Sequence, residues 1–295
     1  MALPAFEYHR AESLDELEQL LSQHQGQCKI LAGGTDLLVQ MKAGIQRTGV
    51  LVDIGALASL QGITHQDGKG TSILAGTKIA ALEHSALIRE KVPALHHSVT
   101  LLGSSQVRAM ASLGGNACNA SPSAETLPIL IALGTEVTVA GKGRERTLPL
   151  ESFFLGYRQV DLKPGEYLKA FFVPEQRSLN GSAYLCRTLR RAMEIDIVNV
   201  GAWFLADSSG CCQESRIALG SVAPTPVRSR NAEACLKGRK PGEEVFRQAG
   251  EAASVEFSPI DDIRGSAEYR REMVKVLVAR ALKAAVQSFQ EKNPL

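Results

Sequence analysis

Aromatic residues are scarce in this chain, at 5% of 295 residues with a single tryptophan, which leaves little material for stacking nucleobases. An excess of one charge is missing too: 33 basic residues face 31 acidic ones, for a net +2. Neither a nucleic acid nor an anionic membrane is therefore expected as a partner. No run approaches the roughly 18 apolar residues that would read as a membrane-crossing helix. The opening residues, MALPAFEYHRAESLDELEQ, lack a basic stretch followed by an apolar core, so no secretory signal is expected. The cysteines (Cys28, Cys118, Cys186, Cys211, Cys212 and Cys235) never form a C-x-x-C pair. They offer no zinc site and no four-cysteine iron–sulfur site, and they suit reduced thiols in a cytoplasmic protein. The histidines (His9, His24, His65, His84, His96 and His97) are dispersed, without an i, i+4 pair beside an acid on a helix. They point to no metal centre and to no catalytic group.

What is present is ordinary globular composition, 44% hydrophobic and 22% charged. At roughly 100–200 residues per domain the length favours two domains, and it suffices to bury a core without covalent staples. Ser13 with Glu16 forms a capping box ahead of an apolar face of Leu14, Leu17, Leu20 and Leu21, so a helix is expected there, ended by Gly26. Strands are expected at 28–32, 50–54, 72–75, 136–140, 167–173, 184–189, 198–205 and 216–221. Helices are expected at 37–42, 79–88, 93–102, 126–133, 230–236 and 266–290, the last turning Tyr269, Met273, Val276, Leu277, Arg280 and Ala281 inward. Residues 174–181, PEQRSLNG, read as a linker. Strands followed by helices in the second half suggest an α+β arrangement.

Two glycine loops stand out. Gly33-Gly34-Thr35-Asp36 lies between a strand and a helix. Glycines let backbone approach a ligand closely, and successive N–H groups at a helix start attract an anion. Ser112-Leu113-Gly114-Gly115-Asn116 offers the same chemistry, with Ser121, Ser123 and Thr126 as hydroxyls and Glu125 as a carboxylate nearby. It sits in a Gly-, Ser-, Ala- and Asn-rich segment, 103–126, too long for an idle connection. Two such loops converging on one diphosphate would hold a dinucleotide through backbone amides, with a carboxylate on a ribose. Neither loop fits G-x-G-x-x-G, and no P-loop is present.

At these residues the chain resembles the FAD-binding (medium) subunits of molybdenum hydroxylases, the group of xanthine dehydrogenases and carbon monoxide dehydrogenases. LAGGTDLLVQMK (31–42) and VRAMASLGGNACNASPSAET (107–126) resemble the two flavin-loop signatures. VDIGAL (52–57), RRAMEIDIVNV (190–200), LGSVAPTPVRSRNAE (219–233) and GSAEYRREMVKVLVARAL (265–282) continue the match in order. The resemblance implies a two-lobed FAD-binding domain at 1–177, followed by a smaller α+β domain at 178–295 with an antiparallel sheet and helices. It implies FAD as cofactor, with Ala32, Gly33, Gly34, Thr35 and Asp36 on the diphosphate and Ser112, Gly114, Gly115 and Asn116 opposite. Ser121, Ser123, Glu125 and Thr126 would lie near the adenosine or ribitol parts, and Leu168 near the ring. Tyr184, Arg187 and Glu194 would lie by the ring or the acceptor side. Where some members cover the ring with an aromatic this chain has Leu102, and where many carry a lysine it has Cys186. Glu125 and Glu194 stand where the family usually has aspartate.

The implied role is electron transfer from the iron–sulfur clusters of a small [2Fe-2S] subunit, beside a large molybdopterin subunit, to NAD or another acceptor. Residues of this chain would place and tune the flavin, without an acid, base, nucleophile or metal ligand of their own. Two alternatives remain at this point: a stand-alone flavin-dependent oxidoreductase, and a structural subunit that has lost its flavin.

Overall fold

The computed structural model describes residues 3–176, 179–190 and 193–292. The chain begins with β1 (Glu7–Arg10), α1 (Leu14–Gln23), β2 (Cys28–Leu31), α2 (Leu37–Lys42) and β3 (Val50–Asp53). The Ser13 hydroxyl accepts from the Glu16 amide at 3.1 Å, starting α1 as its sequence predicts. The strands form a parallel sheet in the order β1-β3-β2. Central β3 is the apolar run Val50-Leu51-Val52, fully covered. Helical crossovers return the chain each time, so β2 ends where a loop opens into α2.

A second lobe follows with β4 (Ile63–Gln66), β5 (Gly70–Leu74), α3 (Ile79–His84), α4 (Ala86–Lys91), α5 (Pro93–Leu101), α6 (Ser105–Met110), α7 (Leu113–Asn119) and α8 (Thr126–Ala132). It closes with β6 (Glu136–Gly141), β7 (Arg144–Pro149), β8 (Phe154–Gly156), β9 (Gln159–Val160) and β10 (Tyr167–Pro174). Five of these strands make an antiparallel sheet, β4-β5-β10-β6-β7. The single helix expected at 79–88 is two helices, because the Ser85 hydroxyl accepts from the Ile88 amide and starts α4 afresh. The segment 103–126 likewise contains α6 and α7, capped by Ser104 and Ser112.

The rest is β11 (Asn180–Arg187), β12 (Val198–Ala206), β13 (Cys212–Gly220), β14 (Val227–Arg228), α9 (Arg230–Leu236), α10 (Glu243–Glu256) and α11 (Ala267–Lys292). The strands form an antiparallel sheet in chain order. Every residue of β12 is buried, because both faces of the sheet are covered. Val198, Val200, Ala202 and Phe204 face the core that α10 and α11 close, and Trp203 and Leu205 join the core of the second lobe. A Cβ at Gly201 would stand 2.5 Å from the backbone of Ile129, so α8 lies directly on this strand. The linker is shorter than expected, since β10 runs to Pro174 and β11 begins at Asn180. The boundary at 177/178 lies outside the described residues. The inner face of α11 is broader than the expected one: Leu277 and Ala281 are buried and Tyr269 and Met273 pack against the core as expected, joined by Arg270, Val274, Val278, Leu282, Ala285 and Val286. Val276 is half-buried and Arg280 exposed.

Candidate functional site

Both glycine loops line one cleft of about 730 Å³ between the two N-terminal lobes, within the roughly 300–1,000 Å³ of small-molecule sites. Ala32, Gly33, Gly34, Thr35, Asp36, Leu102, Ser112, Gly114, Gly115, Asn116 and Leu168 all line it. The loops touch. A Cβ at Gly33 would overlap the carbonyl oxygen of Met110 and stand 2.8 Å from Cα of Ala111, immediately before the second loop. Gly34 has φ +72°, which side chains other than glycine seldom adopt.

The chemistry of the two loops differs. Among the described residues no hydrogen-bond acceptor takes the amides of Gly33, Gly34, Thr35 or Asp36. Four consecutive donors at the start of α2 therefore point to an acceptor from outside the chain. The second loop's amides are spent internally. Leu113 donates to the Thr77 carbonyl (3.0 Å), Gly114 to Ala75 (2.7 Å) and Asn116 to Ser112 (3.0 Å). Gly115 donates to the Ser112 hydroxyl at 3.1 Å. A Cβ at Gly114 would stand 2.7 Å from the Ala75 side chain, so this glycine seats α7 against the end of β5. The first loop's amides are thus free to donate to a bound group, whereas those of the second loop are engaged within the chain. What the second loop offers is the Asn116 side chain. Thr126 donates to its Oδ1 at 2.6 Å, which fixes the amide orientation beside the cleft.

The other expected residues sit outside the lining. Ser121 and Ser123 share a hydrogen bond of 3.0 Å. Burial, with the charges of Asp196 and Asp36, pushes the Glu125 carboxyl up to about 8. Tyr184 is fully buried, and its hydroxyl donates to Asp196 Oδ2 at 2.9 Å. Asn199 Nδ2 donates to the same oxygen at 2.7 Å, and burial pushes Asp196 up to about 6. Arg187 donates to the Tyr269 hydroxyl and Glu194 pairs with Arg190 at 2.8 Å; neither lines the cleft, and Arg191 is outside the described residues. Cys118 does line the cleft, but burial pushes its thiol up to about 12, so it is held as an inert thiol.

Apart from Tyr167 and Leu168, one wall had no sequence signal. Residues 158–168, with Arg158 and Lys163, face the glycine loops. Arg158 holds a left-handed turn (φ 55°) and its charge acts on Asp36. Arg146 braces this wall by donating to Asp161 (2.7 Å) and Glu166 (2.8 Å). Gln25 donates to the Pro164 carbonyl (3.2 Å) and ties the wall to the end of α1. Leu168 sits at a register shift in β10, where a bulge aims it into the cleft.

The residues fit a dinucleotide: free amides for phosphates, a cleft of about 730 Å³, and apolar Leu102 and Leu168 beside polar loops. Comparison with known proteins agrees. The family described as "FAD binding domain in molybdopterin dehydrogenase" matches residues 4–176, and "CO dehydrogenase flavoprotein C-terminal domain" matches residues 183–285. The chain is 32% identical over 286 residues to the carbon monoxide dehydrogenase medium chain of Hydrogenophaga pseudoflava, covering 97% of this chain and 98% of that one. It is 30% identical over 280 residues to the xanthine dehydrogenase FAD-binding subunit of Escherichia coli O157:H7, covering 95% of each. Among solved structures, carbon monoxide dehydrogenase of Hydrogenophaga pseudoflava superposes with a TM-score of 0.93 at 31% identity, over 98% of this chain and 99% of that one. Quinoline 2-oxidoreductase of Pseudomonas putida 86 gives 0.89 at 26% identity, over 99% of each. The chain therefore belongs to the FAD-binding medium subunits of the molybdenum hydroxylases, the flavoprotein components of xanthine and carbon monoxide dehydrogenase-type oxidoreductases.

Proposed function

We propose that this chain holds FAD in the cleft between its first two lobes and relays electrons from partner subunits to a final acceptor. The four free amides of Gly33–Asp36 carry this reading. They would donate to the diphosphate, with the Thr35 hydroxyl beside them and the Asn116 side chain across from them. Ser121, Ser123, Glu125 and Thr126 would lie toward the adenosine or ribitol, and Leu102, Leu168 and Tyr184 toward the ring. The FAD domain would extend to about residue 177 and the C-terminal domain from 178 onward. When bound, a flavin accepts electrons singly and releases them in pairs, which joins one-electron clusters to a hydride acceptor.

This chain's own part is to bind, orient and shield. The wall braced by Arg146 closes one side of the cleft, and the close contact of Gly33 with Met110–Ala111 closes another. The electrons would arrive from a small [2Fe-2S] subunit served by a large molybdopterin subunit. The pattern of cysteines and the dispersal of acids and histidines favour that division of labour. NAD is the acceptor to test first. Six unpaired thiols favour a cytoplasmic setting, and no helix is long and apolar enough to cross a membrane among the described residues.

The test uses the isolated chain. It should purify yellow with one FAD per chain, and anaerobic NADH should bleach it if NAD is the acceptor. A yellow protein that NADH leaves unchanged removes NAD alone. A colourless chain that cannot be reconstituted contradicts the whole reading.

A further inference from the structure

His9 and His24 are far apart in sequence, and the fold stacks them. Their ring centroids are 5.2 Å apart with planes at 30°. His9 lies on β1 and His24 is the residue that ends α1. Glu7 is two residues before His9 on the strand, so both project from the same face. Its Oε2 stands 3.7 Å from His9 Nε2. One donor atom from each of the three lies within 4.8 Å of the others. The Nε2 atoms of both histidines are buried and have no hydrogen-bond partner.

Buried ring nitrogens are rarely left without a partner. Protonating both rings would place two positive charges side by side, with a single carboxylate to offset them. A divalent cation answers all three groups at once: it takes a lone pair from each imidazole, and Glu7 offsets part of its charge. We propose that Glu7, His9 and His24 form a binding site for a borderline transition-metal cation of the zinc type, with water completing the coordination. Thiolate is absent from the set, and two imidazoles with one carboxylate favour zinc, nickel or copper over calcium or magnesium. None of the three residues lines the flavin cleft. The ion would clamp the first strand to the end of α1, the crossover that delivers β2 and its glycine loop.

The experiment is calorimetric titration of the metal-stripped, full-length flavoprotein with zinc chloride, repeated on His24→Ala, His9→Gln and Glu7→Gln. One equivalent of zinc is expected to bind. Affinity should fall at least tenfold in each histidine variant and less in Glu7→Gln, with flavin content and circular dichroism unchanged. His9→Gln guards against a folding defect at the end of α1 in His24→Ala. Cobalt in place of zinc should give ligand-field bands without sulfur-to-cobalt charge transfer. Absence of one-equivalent binding, equal affinity in the histidine variants, or a thiolate band from the scattered cysteines would each overturn the proposal.

Discussion

Gly33 is where a single methyl group would do most damage, because its Cβ would overlap the Met110 carbonyl. Gly33→Val should force the two loops apart and weaken FAD binding more than tenfold, read by flavin fluorescence titration. Gly34→Ala should cost about 1–2 kcal/mol of stability for its left-handed backbone, read by urea unfolding. Glu125 gives a pH prediction. Its folded carboxyl titrates at about 8 against an ordinary 4.5. Between those values the folded chain holds a proton that the unfolded chain has lost, so stability should fall as pH rises through this window. Glu125→Gln should flatten that fall, seen as urea midpoints of the flavin-free chain that differ less between pH 5 and pH 8.5 than the parent's do. The glycines and Ser112 were legible because tight turns and caps are written in neighbouring residues. Arg158 and the His9–His24 pair were not. Their positions depend on chain returning from far away, and neither has a local spacing to betray it.

At the scale of elements, local signals and periodicity served unevenly. Capping boxes and buried strand runs located α1, β3 and β12. The 79–88 stretch hid a restart, because Ser85 can end one helix and cap the next. α10 went unread: its inner face is Val245, Phe246, Ala249, Gly250, Ala253 and Ser254, mostly small residues that make a faint apolar stripe. In α11 the apolar residues surround enough of the helix that the buried face follows from packing on β11 and β12, not from pattern alone. The observed face is testable. Leu282→Ala, at a fully buried position, should cost about 2–5 kcal/mol, whereas Arg280→Ala should change urea stability by no more than about 0.5 kcal/mol. Ser112→Ala should cost about 1 kcal/mol by removing the cap of α7, loosening the loop that carries Asn116.

Over the whole molecule, three cores share one framework, and the cleft lies where two of them meet. The ordered motifs made the family legible along nearly the full chain. Apart from Tyr167 and Leu168, the wall at 158–168 was not legible, because it exists only once Arg146 and Gln25 reach it from other elements. In the proposed function, the unpartnered amides of the first glycine loop would anchor the dinucleotide by its diphosphate. Equilibrium titration of the flavin-free chain with FAD and, separately, with riboflavin tests this most directly, since only FAD carries the diphosphate. FAD should bind at least a hundredfold more tightly than riboflavin, and Gly33→Val should abolish most of that difference. Equal affinities for the two, or a preference for FAD that survives in the variant, would contradict the account.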